Sequence, residues 1–95
     1  MPTLLDLTIR NKQGIVYNDK VEAVSSKNDK GIFDILPEHQ NFISIIKENI
    51  VIHKKINQNQ EMKIENGILR VYRNKVNIYI VWDLARLALR AKRVL

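Results

Sequence analysis

The 95-residue chain contains no cysteine. That excludes a disulfide scaffold, a thiolate metal site and a cysteine nucleophile. Glycine and proline are scarce, three and two residues, which argues against a loop-dominated protein. Aromatic residues are few: one Trp, three Tyr and two Phe. No apolar run approaches the roughly 18 residues that a membrane-spanning helix needs, so no transmembrane segment is expected. The opening Met1-Pro2-Thr3-Leu4-Leu5-Asp6 has no basic patch before an apolar stretch, so no secretory signal peptide is expected either. Hydrophobic residues make up 45% of the chain, enough for one compact core at this length and too few residues for a second. The charge balance is 16 basic to 10 acidic, a net +6, which suggests an acidic partner without naming it.

Alternation dominates the first eighty residues. Leu5, Leu7 and Ile9 alternate with Asp6, Thr8 and Arg10, the pattern of a half-buried strand. Asn11-Lys12-Gln13-Gly14 supplies a turn, and Val21 to Ser25 and Ile32 to Leu36 make further short strands, the latter stopped by Pro37. Phe42 to Ile46 leads to a turn candidate at Lys47-Glu48-Asn49, and Ile50 and Ile52 then share one face. Met62 and Ile64 precede Asn66-Gly67, the strongest hairpin signal in the chain because both residues tolerate a type I′ turn. Leu69 and Val71 resume the inward row, Asn74-Lys75 is the next turn, and Val76, Ile78 and Ile80 form the last strand. These spacings predict an all-β fold, an antiparallel flattened β-sandwich or barrel of eight to ten short strands over residues 1–81.

The period changes after Val81. Leu84, Leu87, Ala88, Ala91 and Leu95 fall on one helical face, with Arg86, Arg90 and Arg93 on another. Residues 82–95 are therefore expected to form one short amphipathic, basic helix, with Asp83 as its N-cap and Trp82 fixing its docking. Charge follows the same division. Residues 1–80 hold 12 basic and 9 acidic side chains, and residues 81–95 hold 4 and 1. The basic excess thus belongs half to a nearly balanced sandwich and half to a cationic tail. An acidic surface is the expected contact of Arg86, Arg90 and Arg93.

No catalytic constellation is visible. His39 and His53 are the only imidazoles and lie on different segments, a poor basis for a metal site. Gly14, Gly31 and Gly67 are isolated, so no phosphate-cradling loop exists, and no Ser sits in a nucleophile elbow. Neither an enzyme nor a cofactor is expected. Nucleic-acid binding, the alternative for a small basic β-domain, is poorly supported because aromatic and basic residues interleave only at Arg70-Val71-Tyr72-Arg73. A stand-alone β-sandwich interaction module remains the other alternative.

Three segments carry a family likeness. Gly31-Ile32-Phe33-Asp34-Ile35-Leu36-Pro37-Glu38-His39 resembles the G-x-[LF]-[GD]-I-L-P-x-H signature of the epsilon subunit of F-type ATP synthases. Asn66-Gly67-Ile68-Leu69-Arg70-Val71 with Asn74-Lys75-Val76 is similar to that family's G-[GF]-[IL]-L-x-V-x-x-[ND]-x-V hairpin, and Leu5 to Ile9 with Gly14 to Tyr17 to its first hairpin. The resemblance covers about residues 3–80. It implies a ten-stranded flattened sandwich and a non-catalytic rotor subunit of the central stalk. Such a subunit binds the gamma subunit and the membrane c-ring, helps couple rotation to ATP synthesis driven by protons or sodium ions, and is peripheral on the inner face of an energy-coupling membrane. By the same resemblance Asn28, Asp29, Lys30 and Gly31 face the c-ring, and Pro37 and His39 lie at the gamma interface. Glu38 stands where the family usually has Gly, so a different turn geometry or contact is expected there. The sequence ends about where the family's first C-terminal helix is under way, so inhibition of hydrolysis and ATP binding by a helical hairpin are not carried over.

Overall fold

A computed structural model describes residues 3–55 and 58–83, and the strands read from alternation are present, except that Glu22 breaks the expected Val21 to Ser25 strand and Leu36 falls just past the end of its own. Seven strands are present among the described residues: β1 (Leu5–Asn11), β2 (Gly14–Val21), β3 (Ala23–Asn28), β4 (Gly31–Ile35), β5 (Phe42–Lys55), β6 (Gln58–Tyr72) and β7 (Lys75–Asp83). They form one continuous sheet in the order β2-β1-β7-β6-β5-β3-β4. Of the helix expected over residues 82–95, Trp82 and Asp83 instead form the end of β7, and the rest, with Arg86, Arg90 and Arg93, lies outside the described residues.

The expected antiparallel arrangement needs one correction. β1 and β7 run parallel, from Asp6 opposite Lys75 to Arg10 opposite Tyr79, so the sheet is mixed. Parallel neighbours need a long crossover, and here the intervening strands are that crossover. Local alternation carries no information about which distant strand becomes a neighbour.

The eight to ten short strands are also corrected to seven, because two of them are long. β5 has 14 residues and β6 has 15. The turn candidates at Lys47-Glu48-Asn49 and Asn66-Gly67 are not turns; both lie inside strands, where the ladder slips. Lys47 pairs with Asn66 and Glu48 with Ile64, leaving Glu65 without a counterpart on β5. On the other side of β6, Asn66 faces Trp82 and Gly67 faces Ile80, leaving Val81 unmatched. Glu48 is left-handed at φ 73°, a conformation a non-glycine residue adopts only when its surroundings hold it there. Bulges of this kind bend a strand and increase its twist.

Bending at these bulges folds the sheet onto itself. β2 and β5 stand four places apart in the strand order, yet the Glu22 N–H, just past β2, donates to the His53 carbonyl at 2.8 Å. Phe33 of β4 meets Phe42 of β5 edge-on, with centroids 5.5 Å apart. Between the layers lies an aliphatic core that includes Leu5, Leu7, Ile9, Ile46, Ile50, Ile64, Leu69 and Ile78, each essentially without solvent exposure. Burying each such side chain contributes about 1.5–3 kcal/mol. The bulge itself is tied down: the buried Ser26 hydroxyl donates to the Asn49 carbonyl at 2.7 Å. The Asn49 side-chain amide donates to Glu61 at 2.7 Å.

Gly67 explains why an Asn-Gly pair sits mid-strand. A Cβ there would lie 2.7 Å from the Tyr79 carbonyl oxygen of the neighbouring strand, so only glycine fits where β6 and β7 close over the bulge.

Candidate interaction surfaces

Pro37 and His39 belong to the connection from β4 to β5. Pro37 presets its own φ, Glu38 is left-handed at φ 68°, and the His39 N–H donates to the Leu36 carbonyl at 3.2 Å. Those are the features of a type II turn, whose third position favours glycine. Glu38 occupies that position, and its surroundings compensate. Its N–H donates to Asn74 Oδ1 at 2.7 Å, and Asn74 Nδ2 donates back to Glu38 Oε1 at 3.1 Å.

Asn74 in turn sits in the β6–β7 connection. Arg73 and Asn74 both take positive φ, 49° and 62°, the mark of a two-residue type I′ turn between Tyr72 and Lys75. The turn expected at Asn74-Lys75 is therefore one residue earlier. Arg70 and Arg73 place their guanidinium groups over the Tyr72 ring at 5.9 and 5.4 Å. The His39 ring meets Phe42 edge-on at 5.6 Å, and its Nδ1 lies 2.7 Å from the Gln40 carbonyl, which only accepts, so Nδ1 carries the proton. Glu38, His39, Asn41, Arg73 and Asn74 line one shallow polar depression.

The β3–β4 tip carries Asn28, Asp29, Lys30 and Gly31. Asn28 Oδ1 accepts from the Lys30 N–H at 2.9 Å, and Gly31 takes φ 123°, closed to other residues. Asn28 Nδ2 also donates to Ser44 Oγ at 3.1 Å. Asn28 and Gly31 thus shape the tip, while Asp29 and Lys30 are the groups it presents. Lys47 pairs with the Asp29 carboxylate at 3.0 Å and steadies the tip against β5. Both loops abut the first residues of β5, one at Phe42 and the other at Ser44, with a groove along Ile43 and Ile45 beside the tip.

His53 lies in a chain that sequence reasoning missed. Its Nε2 is 2.8 Å from Ser25 Oγ, and that hydroxyl also bonds the Asp34 carboxylate. The residues match a hydrolytic triad in type but not in geometry. Asp34 bonds the serine rather than the imidazole Nδ1, so it takes the hydroxyl proton that a base would need to remove. The three side chains lie on neighbouring strands and link β4, β3 and β5. No cluster of three or more metal-ligating carboxylate, imidazole or thiol groups occurs among the described residues.

Two exposed pairs have perturbed acidity. The hydrogen bond from Lys54 holds the Asp19 carboxyl below its ordinary range, and the same bond raises the lysine. Glu61 is lowered first by its bond from Asn49 and then by Lys63. The first ties β2 to β5 where the sheet closes, and the second lies along the β5–β6 ladder.

Residues 4–81 match the family model described as the ATP synthase delta/epsilon chain, β-sandwich domain. The chain belongs to that family. The ATP synthase epsilon chain of Campylobacter concisus is 33% identical over 75 residues, 78% of this chain and 58% of its own length. That of Aliarcobacter butzleri is 24% identical over 74 residues, 78% of this chain and 59% of its own. The chain thus spans less than two thirds of these relatives. A chain of the Euglena gracilis mitochondrial ATP synthase, in a structure of OSCP, F1 and c-ring, shares the fold with a TM-score of 0.77 at 16% identity, over 98% of this chain and 64% of that one. A chain from the Tetrahymena thermophila mitochondrial ATP synthase central stalk and c-ring gives 0.69 at 13% identity, over 81% of this chain and 63% of that one.

Proposed function

We propose that this chain is a non-catalytic rotor subunit of an F-type ATP synthase, joining the gamma subunit to the membrane c-ring and helping couple rotation to ATP synthesis. The observation that carries this is the family match across residues 4–81, which spans both candidate loops. Pro37 and His39, set by the type II turn and braced on Asn74, are the gamma contact. Asp29 and Lys30, presented by Asn28 and Gly31, are the c-ring contact. The chain is held at the inner face of an energy-coupling membrane through these partners; no helix among the described residues is long and apolar enough to cross one.

A torque-bearing part must resist deformation. A sheet wrapped until β2 meets β5, with paired backbone and a close-packed aliphatic core, has that property. Co-purification decides the matter: the chain should recover gamma and the c-ring together and hydrolyse no ATP alone. Hydrolysis by the purified chain, or salt-sensitive oligonucleotide binding in place of gamma binding, would refute it. Arg86, Arg90 and Arg93 are assigned to an acidic surface of the rotor or its stator neighbours. Complex stability and hydrolysis rate that stay unchanged in the triple Arg→Gln variant would remove that role.

A further inference from the structure

One row of side chains crosses five strands on the outer face of the sheet. Cross-strand pairing sets Ile15 (β2) beside Arg10 (β1), Arg10 beside Tyr79 (β7), Tyr79 beside Ile68 (β6), and Ile68 beside Ile45 (β5). The apolar members are unusually open: Ile15 is 59% exposed, Tyr79 42%, Ile68 48% and Ile45 75%. Single exposed apolar residues need no explanation, but three in contiguous register, Tyr79, Ile68 and Ile45, with Ile15 one strand beyond Arg10, mark a contact surface. The row beneath it runs Asn18, Thr8, Asn77, Arg70 and Ile43 by the same registers. Neither row contains a carboxylate, and each contains one arginine.

We infer that this five-strand row docks an amphipathic helix of a partner protein whose apolar stripe is flanked by carboxylates. Four strand spacings of about 4.8 Å make the row roughly 19 Å long. A helix rising 1.5 Å per residue matches that length with about 13 residues. Leucine-type side chains of the helix cover Ile45, Ile68 and Tyr79. Flanking Glu or Asp meets Arg10 and Arg70, a geometry that arginine serves well at interfaces. The same charges select against the chain's own segment 84–95, which carries Arg86, Arg90, Lys92 and Arg93 and no acidic residue. The Asp6 carboxylate one row further down is already held by Lys20 at 2.9 Å. The inference stands on this surface alone and does not depend on the rotor assignment.

The test uses the full 95-residue chain, labelled with ¹⁵N, and two synthetic helical peptides of about 14 residues matched to the row. Both peptides carry the same leucine stripe, flanked by Glu in one and by Lys in the other. The Glu peptide should shift the amides of Arg10, Tyr79, Ile68 and Ile45 and bind at least about tenfold tighter than the Lys peptide. Ile68→Asp should weaken binding by about tenfold or more while leaving the fold intact, since the side chain is exposed. The Arg10→Glu, Arg70→Glu double variant should reverse the preference. Equal affinity for the two peptides, or shifts confined to another face, would overturn the inference. So would methyl contacts from Leu87 to Ile68 in the free chain, which would show the row already covered by its own tail.

Discussion

Glu38 and Asn74, 36 residues apart, exchange two hydrogen bonds while both hold left-handed backbone, at φ 68° and 62°. The β4–β5 turn and the β6–β7 turn are therefore one unit. Asn74→Ala removes the acceptor of a backbone N–H and places a Cβ-bearing, unassisted residue at positive φ, so it should destabilise the chain by about 2 kcal/mol. Glu38→Gly relieves the strain and keeps the backbone bond, so it should stay within about 1 kcal/mol of the parent. Urea midpoints of the two variants and of the double variant read this directly. Equal losses at the two positions would contradict the asymmetry.

Gly67→Ala should cost about 1–3 kcal/mol, because the new methyl meets a main-chain oxygen that cannot rotate aside. The cost comes from this contact and not from a turn conformation, since Gly67 is not among the positive-φ glycines. Chemical denaturation reads it, and an unchanged midpoint would show that the neighbouring strand yields to the methyl.

Asp19 and Glu61 have folded-state pKa values below their ordinary ones. Their contribution is complete above the unfolded values, near 3.9 and 4.3, and is lost as pH falls through the depressed folded values. Lys54 is raised, so its contribution is complete below about 10.4 and is lost as pH rises through its folded value. The groups are exposed, so the effect is small and weakens with salt. Asp19→Asn should flatten part of the acid decline in the urea midpoint below about pH 5. An unchanged acid limb would show that the pair contributes nothing.

If the two loops address different partners, their variants should separate. His39→Ala should weaken the complex with gamma, and a combined Asp29→Ala, Lys30→Ala variant should weaken retention on the c-ring. The Asp29, Lys30 variant should leave the stability within about 0.5 kcal/mol of the parent, as exposed substitutions do, and His39→Ala, which gives up a half-buried ring contact with Phe42, within about 1.5 kcal/mol. Loss of both partners from either variant would place both contacts on one surface.

The strands and the inward-facing residues were legible because period-two alternation survives burial: Leu5, Leu7, Ile9, Leu69, Val71, Val76, Ile78 and Ile80 all face the core. The bulges were not, since Lys47-Glu48-Asn49 and Asn66-Gly67 have the composition of turns and only long-range pairing decides otherwise. The resemblance named the loop residues Pro37 and His39 and included Asn74 only in a separate hairpin motif; that Asn74 braces the Pro37–His39 turn follows from long-range pairing no local pattern encodes. The exposed row did leave a trace: Phe42 to Ile46 is apolar at four of five positions, so residues of both parities are apolar, as in strands covered on both faces. The Ser25–His53–Asp34 chain left none, because its members come from three strands.

The parallel pairing of β1 with β7 also sets an order of events. β1 has its sheet neighbour on that side, and Asp6 its main-chain acceptor at Asn74, only from the far end of the sequence. On the ribosome the first strand must wait, half-paired, until residues near 80 have emerged. Closure of the domain is therefore a late event with a large loop to gather, slow by the standards of a chain this size and shared by the whole chain at once.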